Sequence, residues 1–216
     1  MKPLFTIEKG VEGVRVATRA DEGEIFSLPM MMHAEMGFFS VNQAKVVEGI
    51  KVATEQRGGI IWVVEDKGRV AATLGMVFAQ EWYSDDEFLA ERWNFVHPDF
   101  RKTDYARKLL EQAKWTHERL KLGEDGCDGR IIPVQVGINS FDRTAAKIRM
   151  YARQMPCVGA YFIYGALPRA AMNEKSRAEL NNIKTMQLEI NRGKRDRSDS
   201  RPAVKEIIRA SRSAWG

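Results

Sequence analysis

Residues 88–121, FLAERWNFVHPDFRKTDYARKLLEQAKWTHERLK, constrain the fold more than any other stretch. A strand-like run from Phe88 to Val96 meets His97-Pro98, crosses a short basic loop and enters a strongly periodic helix. Proline cannot donate a ladder hydrogen bond, so Pro98 marks the strand end. From Ala106 the apolar positions Ala106, Leu109, Leu110, Ala113 and Leu120 recur at helical spacing and define one buried face. Arg101 to Ala106 then straddle a helix N-terminus, where several N–H groups lack partners and the helix dipole favours negative charge. Such a place suits a phosphate-bearing ligand.

Val96-x-Pro98-x-x-Arg101-x-x-Asp104-x-Ala106-x-x-Leu109-Leu110 resembles motif A of the GCN5-related N-acetyltransferases (GNAT). That family's pattern is V-x-P-x-x-(R/Q)-x-x-G-x-(G/A) followed by an amphipathic helix. The resemblance implies an α/β GNAT fold, with a mixed, mostly antiparallel central sheet flanked by helices. It also implies acetyl-CoA as co-substrate, its pyrophosphate held by the backbone of Arg101, Lys102, Thr103, Asp104, Tyr105 and Ala106. Phe95 and Val96 would meet pantetheine through main-chain groups. Asp104 departs from the family glycine; its carboxylate either caps the helix and points away or repels the pyrophosphate.

The rest of the chain can be laid around this unit. Val14 to Thr18 alternates as a first strand, and Asp21 opens a helix near 21–34 that Pro29 should break or restart. Ser40 or Asn42 starts a helix to about Gln56, with Ala44, Val47, Ile50 and Val52 towards the core. Ile60 to Glu65 and Val70 to Ala79 read as a hairpin about Asp66-Lys67-Gly68. Residues 80–86 form a polar loop carrying Trp82 and Tyr83. A buried strand follows at Ile131 to Ile138, then a helix beginning near Asn139-Ser140 and bearing Tyr151, then a closing strand at Tyr161 to Tyr164. These last elements are similar to the family's motif B, although Met155-Pro156-Cys157 stands where glycine-phenylalanine is usual.

Charge divides the chain. Residues 167–216 hold 12 Lys/Arg and 6 Asp/Glu, leaving 22 and 23 for residues 1–166. A nearly neutral acetyltransferase-like domain, 1–166, is therefore expected to carry a basic helical extension, 167–216, with a flexible linker near 193–202. The extension is open to nucleic acid or to a second subunit in a homo-oligomer. No apolar run approaches the roughly eighteen residues of a membrane span, and MKPLFTIEKG lacks a secretory core. A cytoplasmic protein without membrane partners is the expectation. Cys127 and Cys157 form no CxxC pair and His33, His97 and His117 are scattered, so no metal site is expected.

Acetyl transfer to an amine needs a proton acceptor for nitrogen and a proton donor for the departing thiolate. With regular alternation Leu89, Glu91, Trp93, Phe95 and His97 share one strand face. Glu91 is the sole carboxylate there; it is either a general base or a strand glutamate paired with Arg92. His97 is the second candidate base, by virtue of its near-neutral titration, or a loop residue bordering the acceptor. Tyr151 resembles the motif-B tyrosine that protonates the coenzyme thiolate; by spacing alone it is a core tyrosine. Asn139 either meets pantetheine or caps its helix. Trp82 and Tyr83 flank an acceptor pocket or simply pack. His33, in the methionine-rich run 29–39, borders the acceptor if the family's first two helices do so here; otherwise that run is core. The resemblance thus implies direct acetyl transfer from acetyl-CoA to a primary amine in a ternary complex, the amine borne by a small molecule or a protein. The alternative is a GNAT-like protein that binds or modifies nucleic acid, with altered or lost use of acetyl-CoA.

Overall fold

The computed structural model describes residues 7–36, 40–122, 131–138 and 144–158. The chain divides into two compact units, one of Met1–Asn139 with Ile148–Ala171, the other of Ser140–Lys147 with Met172–Gly216. The expected closing strand at 161–164 and the basic extension lie outside the described residues, as does Asn139.

The elements run β1 (Arg15–Val16), α1 (Glu22–Met36), α2 (Gln43–Thr54), β2 (Gly59–Asp66), β3 (Arg69–Gln80), β4 (Glu87–Val96), α3 (Tyr105–Leu122), β5 (Val134–Gln135) and α4 (Thr144–Ala152). The strands form one sheet in the order β1-β2-β3-β4-β5. Pairing is antiparallel up to β4, and β5 joins β4 in parallel. The β2–β3 turn places Lys67 and Gly68 at positive φ, 53° and 72°. That pairing matches a tight hairpin, and glycine takes its half without strain.

Each sheet face has its own core. Trp62, Leu74, Met76 and Leu89 pack with Leu109, Ala113 and Leu120 of α3. On the other face Ile61, Val63 and Phe95 pack with Ile25 and Leu28 of α1 and Ile50 and Ala53 of α2. Each such side chain removed from water contributes about 1.5–3 kcal/mol, which holds the helices against the sheet.

Two helix readings need correction. Pro29 does not break α1, which runs unbroken from Glu22 to Met36. Its missing N–H costs one helical bond, offset by the burial of Ile25 and Leu28 and by the packing of Met31 and Met32. On α2 the core-facing residues are Val46, Ile50 and Ala53, whereas Val47 is 51% exposed. The apolar face is thus rotated by about one residue, although Asn42 caps the helix as expected, accepting from the Lys45 N–H at 3.1 Å. Among the described residues, no helix is long and apolar enough to cross a membrane.

Candidate active site

The chemistry gathers where β4 outruns its parallel neighbour. β5 pairs only through Leu89↔Val134 and Ala90↔Gln135, so among the described residues the Glu91–Val96 edge of β4 has no strand beside it on that side. A regular β4 would send Leu89, Glu91, Trp93 and Phe95 to one face. Instead the register steps from Gly75↔Trp93 to Met76↔Glu91, leaving Arg92 as an extra residue. A bulge of this kind turns the alternation over. Directly opposed residues share a face, so Asn94 lies with Leu74, and Glu91 with Met76, towards α3; Trp93 and Phe95 belong to the other face. The expectation of a common face is therefore corrected. Gly75 makes the change possible: a Cβ there would stand 2.4 Å from the Trp93 ring that lies across it.

Past the bulge, three side chains meet. Asn94 Nδ2 donates to the Tyr151 hydroxyl at 3.1 Å, bringing β4 to α4. The Glu91 carboxyl faces the same hydroxyl, and burial pushes it up to about 8, against the opposing pull of the Gly137 N–H and the Tyr151 hydroxyl. Burial also carries Tyr151 well above the ordinary phenol range, helped by the Glu91 charge. Glu91 Oε2 and Asn94 Oδ1 are both shut from solvent and, among the described residues, have no hydrogen-bond partner. Leaving such atoms unmet costs about 1–3 kcal/mol each, and native proteins keep few of them. No described residue answers Glu91 with a salt bridge, Arg92 included. A carboxyl that titrates near neutrality beside a phenol that stays protonated is an acid–base pair separated by environment.

The basic loop stands at the far end of β4. A turn over Pro98–Phe100 leads into α3, whose first bonds run from the Arg107 and Lys108 N–H groups to the Asp104 carbonyl at 2.9 and 3.0 Å. Asp104 therefore occupies the cap position. Its carboxylate is turned aside to Arg107 at 2.7 Å and accepts nothing from the helix backbone. Among the described residues, the N–H groups of Lys102, Asp104 and Ala106 have no acceptor, and that of Tyr105 has only Thr103 Oγ1 at 3.4 Å. Open N–H donors at a helix start, with the dipole behind them, favour an anion.

The other expected residues are placed as follows. Arg101 is hooked to Glu35 at the end of α1 and stacks over Phe95, its guanidinium carbon 5.4 Å from the ring centre. Its side chain is thus held on the α1 side of the sheet. Thr103 closes back on the Phe100 carbonyl at 2.6 Å, and the Tyr105 hydroxyl donates to Asp66 at 2.8 Å. Lys102 is exposed. Phe95 is buried on the α1 face, and the side chain of Val96 packs on the α3 side. His97 caps the Pro98 turn, accepting from the Asp99 N–H at 3.2 Å with Arg69 beside its ring, which puts it six residues beyond Glu91 along the chain. Trp82 and Tyr83 stand 93% and 71% exposed, packed edge to face on each other. His33 is half-buried on α1. The geometry joins Glu91 to Tyr151 and adds Asn94, which regular alternation hid on the wrong face. The only sequence signal for it was a glycine opposite a tryptophan, visible once the register is known. Among the described residues, no group of three or more metal-ligating side chains occurs.

Residues 57–154 match the family model described as an acetyltransferase (GNAT) domain. No curated protein matches the chain. Among solved structures, it is similar to a possible acetyltransferase from Clostridium difficile 630, with 15% identity, a TM-score of 0.52, and coverage of 72% of this chain and 97% of that one. It is similar also to the aminoglycoside antibiotic 6'-N-acetyltransferase AAC(6')-IG from Acinetobacter haemolyticus, with 11% identity, a TM-score of 0.50, and coverage of 72% and 98%. A third is AAC(6')-Iy in complex with the bisubstrate analogue CoA-S-monomethyl-acetylneamine, with 10% identity, a TM-score of 0.50, and coverage of 72% and 97%. At such identities the likeness is one of fold. The family model spans β2 to α4, the stretch that holds the central strand, the basic loop and Tyr151, and over residues 57–154 the chain is similar to a GNAT acetyltransferase domain, a fold that recurs in solved acetyltransferases.

Proposed function

We propose that the protein is an acetyl-CoA-dependent N-acetyltransferase that transfers the acetyl group to a primary amine by direct attack in a ternary complex. The observation that carries this reading is the buried Glu91 carboxyl facing the Tyr151 hydroxyl beside the open edge of β4.

Acetyl-CoA supplies an activated acyl group on a thiol leaving group. The unanswered N–H groups of Lys102, Asp104 and Ala106 fit its pyrophosphate, because the Asp104 carboxylate is engaged by Arg107 instead of filling the cradle. The main chain of Phe95 and Val96 offers pantetheine the donors and acceptors that a neighbouring strand would otherwise take. Holding thioester and amine side by side along β4 makes the encounter effectively unimolecular. Glu91, once ionised, takes the proton from the attacking nitrogen; its raised titration makes it a stronger base for that proton than an ordinary carboxylate. Tyr151 donates to the departing sulfur, and its own elevated titration keeps it protonated until then.

Two solved relatives are named as aminoglycoside acetyltransferases or hold a bisubstrate analogue built from CoA and acetylneamine. Amine-bearing small molecules, aminoglycosides among them, are therefore the first acceptors to try. The test has two parts. Acetyl-CoA should raise the melting temperature by mass action, and thiol release with a panel of aminoglycosides, polyamines and peptide amines should depend on both Glu91 and Tyr151. No melting shift at millimolar acetyl-CoA would refute coenzyme use. Full activity of Glu91→Gln would refute the assigned base.

A further inference from the structure

Asn94 lies outside every expectation raised by the sequence, yet its side chain touches the group that must surrender a proton. Its Nδ2 donates to the Tyr151 oxygen at 3.1 Å. A phenol has a single proton, and with an Asn94 N–H already directed at its oxygen, that proton must be spent elsewhere. The acceptor within reach is the Glu91 carboxyl. Among the described residues, no other ionised side chain bears on either group. Among the described residues, nothing meets the far end of Asn94, whose Oδ1 is buried without a partner. An asparagine kept for packing alone would be expected to have both ends met. The bulge at Arg92 is what brings Asn94 to the same side of the sheet as Glu91, with Tyr151 between them.

We propose that Asn94 is a positioning residue that fixes the Tyr151 hydroxyl with its proton directed at Glu91, joining acid and base into one pair that returns the reaction's proton internally. The inference rests on the N-acetyltransferase reading above and deepens it. The amine nitrogen attacks the thioester carbon, a C–N bond forms, and Glu91 takes the nitrogen's proton. Glu91, now neutral, no longer holds the phenolic proton; as the C–S bond breaks with its electron pair going to sulfur, Tyr151 turns that proton to the sulfur and becomes phenolate. Asn94 continues to donate to the phenolate oxygen. The proton held by Glu91 then crosses the existing contact to Tyr151, and both groups are back where they began with no proton drawn from solvent.

The experiment is a double-mutant cycle on the full chain with acetyl-CoA and the best primary amine of the panel, read by thiol release. Asn94→Ala should lower kcat about 10- to 100-fold and leave KM for acetyl-CoA within about twofold. In the Tyr151→Phe background the same substitution should cost nothing further, because Asn94 acts only through the hydroxyl that is gone. Additive losses would overturn the proposal. A second arm needs no activity. In protein labelled with 3-fluorotyrosine, the fluorine resonance that Tyr151→Phe removes should move in both Asn94→Ala and Glu91→Gln. A Tyr151 signal indifferent to either change would overturn the arrangement. A wild type that acetylates no amine, yet shows both displacements, would leave the clamp standing and sink the acetyltransferase reading instead. If Asn94→Ala does not fold, Asn94→Asp keeps the volume but puts an acceptor where the donor was; it should displace the Tyr151 signal and depress kcat just as far.

Discussion

Glu91 is a single side chain with two separable consequences, and the first concerns turnover. Burial holds the carboxyl up at about 8, so below that pH most molecules carry a base that is already protonated. The rate kcat/KM should climb with pH and level off above about 8. Glu91→Gln keeps the shape and removes the proton acceptor. It should lower kcat/KM by about 10²- to 10⁴-fold and flatten the pH profile, with acetyl-CoA affinity unchanged. A variant whose residual rate still climbs through the same pH range would hand the role of base to another group. Glu91 stood out in the sequence because it is the sole carboxylate among the alternating residues Leu89, Glu91, Trp93, Phe95 and His97. Its partner Asn94 could not, since one extra residue in β4 separates the observed face from the regular one. Arg101 was legible as a motif residue, but the direction of its side chain was not: Glu35, which holds it, lies 66 positions away in the chain.

Elements were easier to read than faces. The long hairpin, the central strand, Pro98 as its end and the periodic α3 helix all follow from local signals, and the fold contains each of them. What the chain hides is register, because register depends on which residue sits opposite which. The β4 bulge tests this. Gly75→Ala would force a Cβ to within 2.4 Å of Trp93 ring carbons. The indole, whose Nε1 reaches Thr73 at 3.4 Å, must shift, at a cost of about 1–3 kcal/mol. Glu91 and Asn94 lie just beyond, so the melting temperature and kcat should fall together while α3 and its coenzyme loop are spared. A loss of stability with full activity would separate the bulge from the site. The start of α3 supports a second prediction. Asp104→Gly restores the family residue, costs a few tenths of a kcal/mol as a helix cap, and removes a charge near the proposed pyrophosphate. Acetyl-CoA should bind about fivefold more tightly, the equivalent of about 1 kcal/mol of like-charge repulsion at water's dielectric. Weaker binding in a titration would mean that Asp104 serves the ligand instead of opposing it.

Across the whole molecule, two carboxyls, Asp21 and Glu91, bend the stability curve in opposite senses. Asp21 closes the entry to α1: Arg15 grips it through both guanidinium nitrogens at 2.8 and 2.7 Å, and the Thr18 N–H donates to it at 2.7 Å. The Arg15 hydrogen bonds come first among the causes that draw it down from 3.8 to about 2. A depressed carboxyl stabilises the fold above its unfolded value and loses that contribution as pH falls through the folded one. The Asp21 term is therefore whole above about pH 4 and gone near pH 2; Arg15 is 41% exposed, so solvent screening limits it to about 1–2 kcal/mol. Glu91 runs the other way. Raised from 4.5 to about 8, it stabilises the fold while protonated, fully below its unfolded value, and that contribution drains away as pH rises through the folded one. Together the two terms place a maximum near pH 4–5. Melting curves of wild type, Asp21→Asn and Glu91→Gln from pH 2 to 9 should resolve them. Asp21→Asn should be less stable than wild type at pH 6 and equal to it near pH 2. Glu91→Gln should match wild type near pH 4 and gain on it steadily towards pH 9. If Glu91→Gln and wild type ran parallel across that range, the carboxyl would be ionising freely in the folded protein. The buried acid–base pair beside β4 would then lose its physical basis.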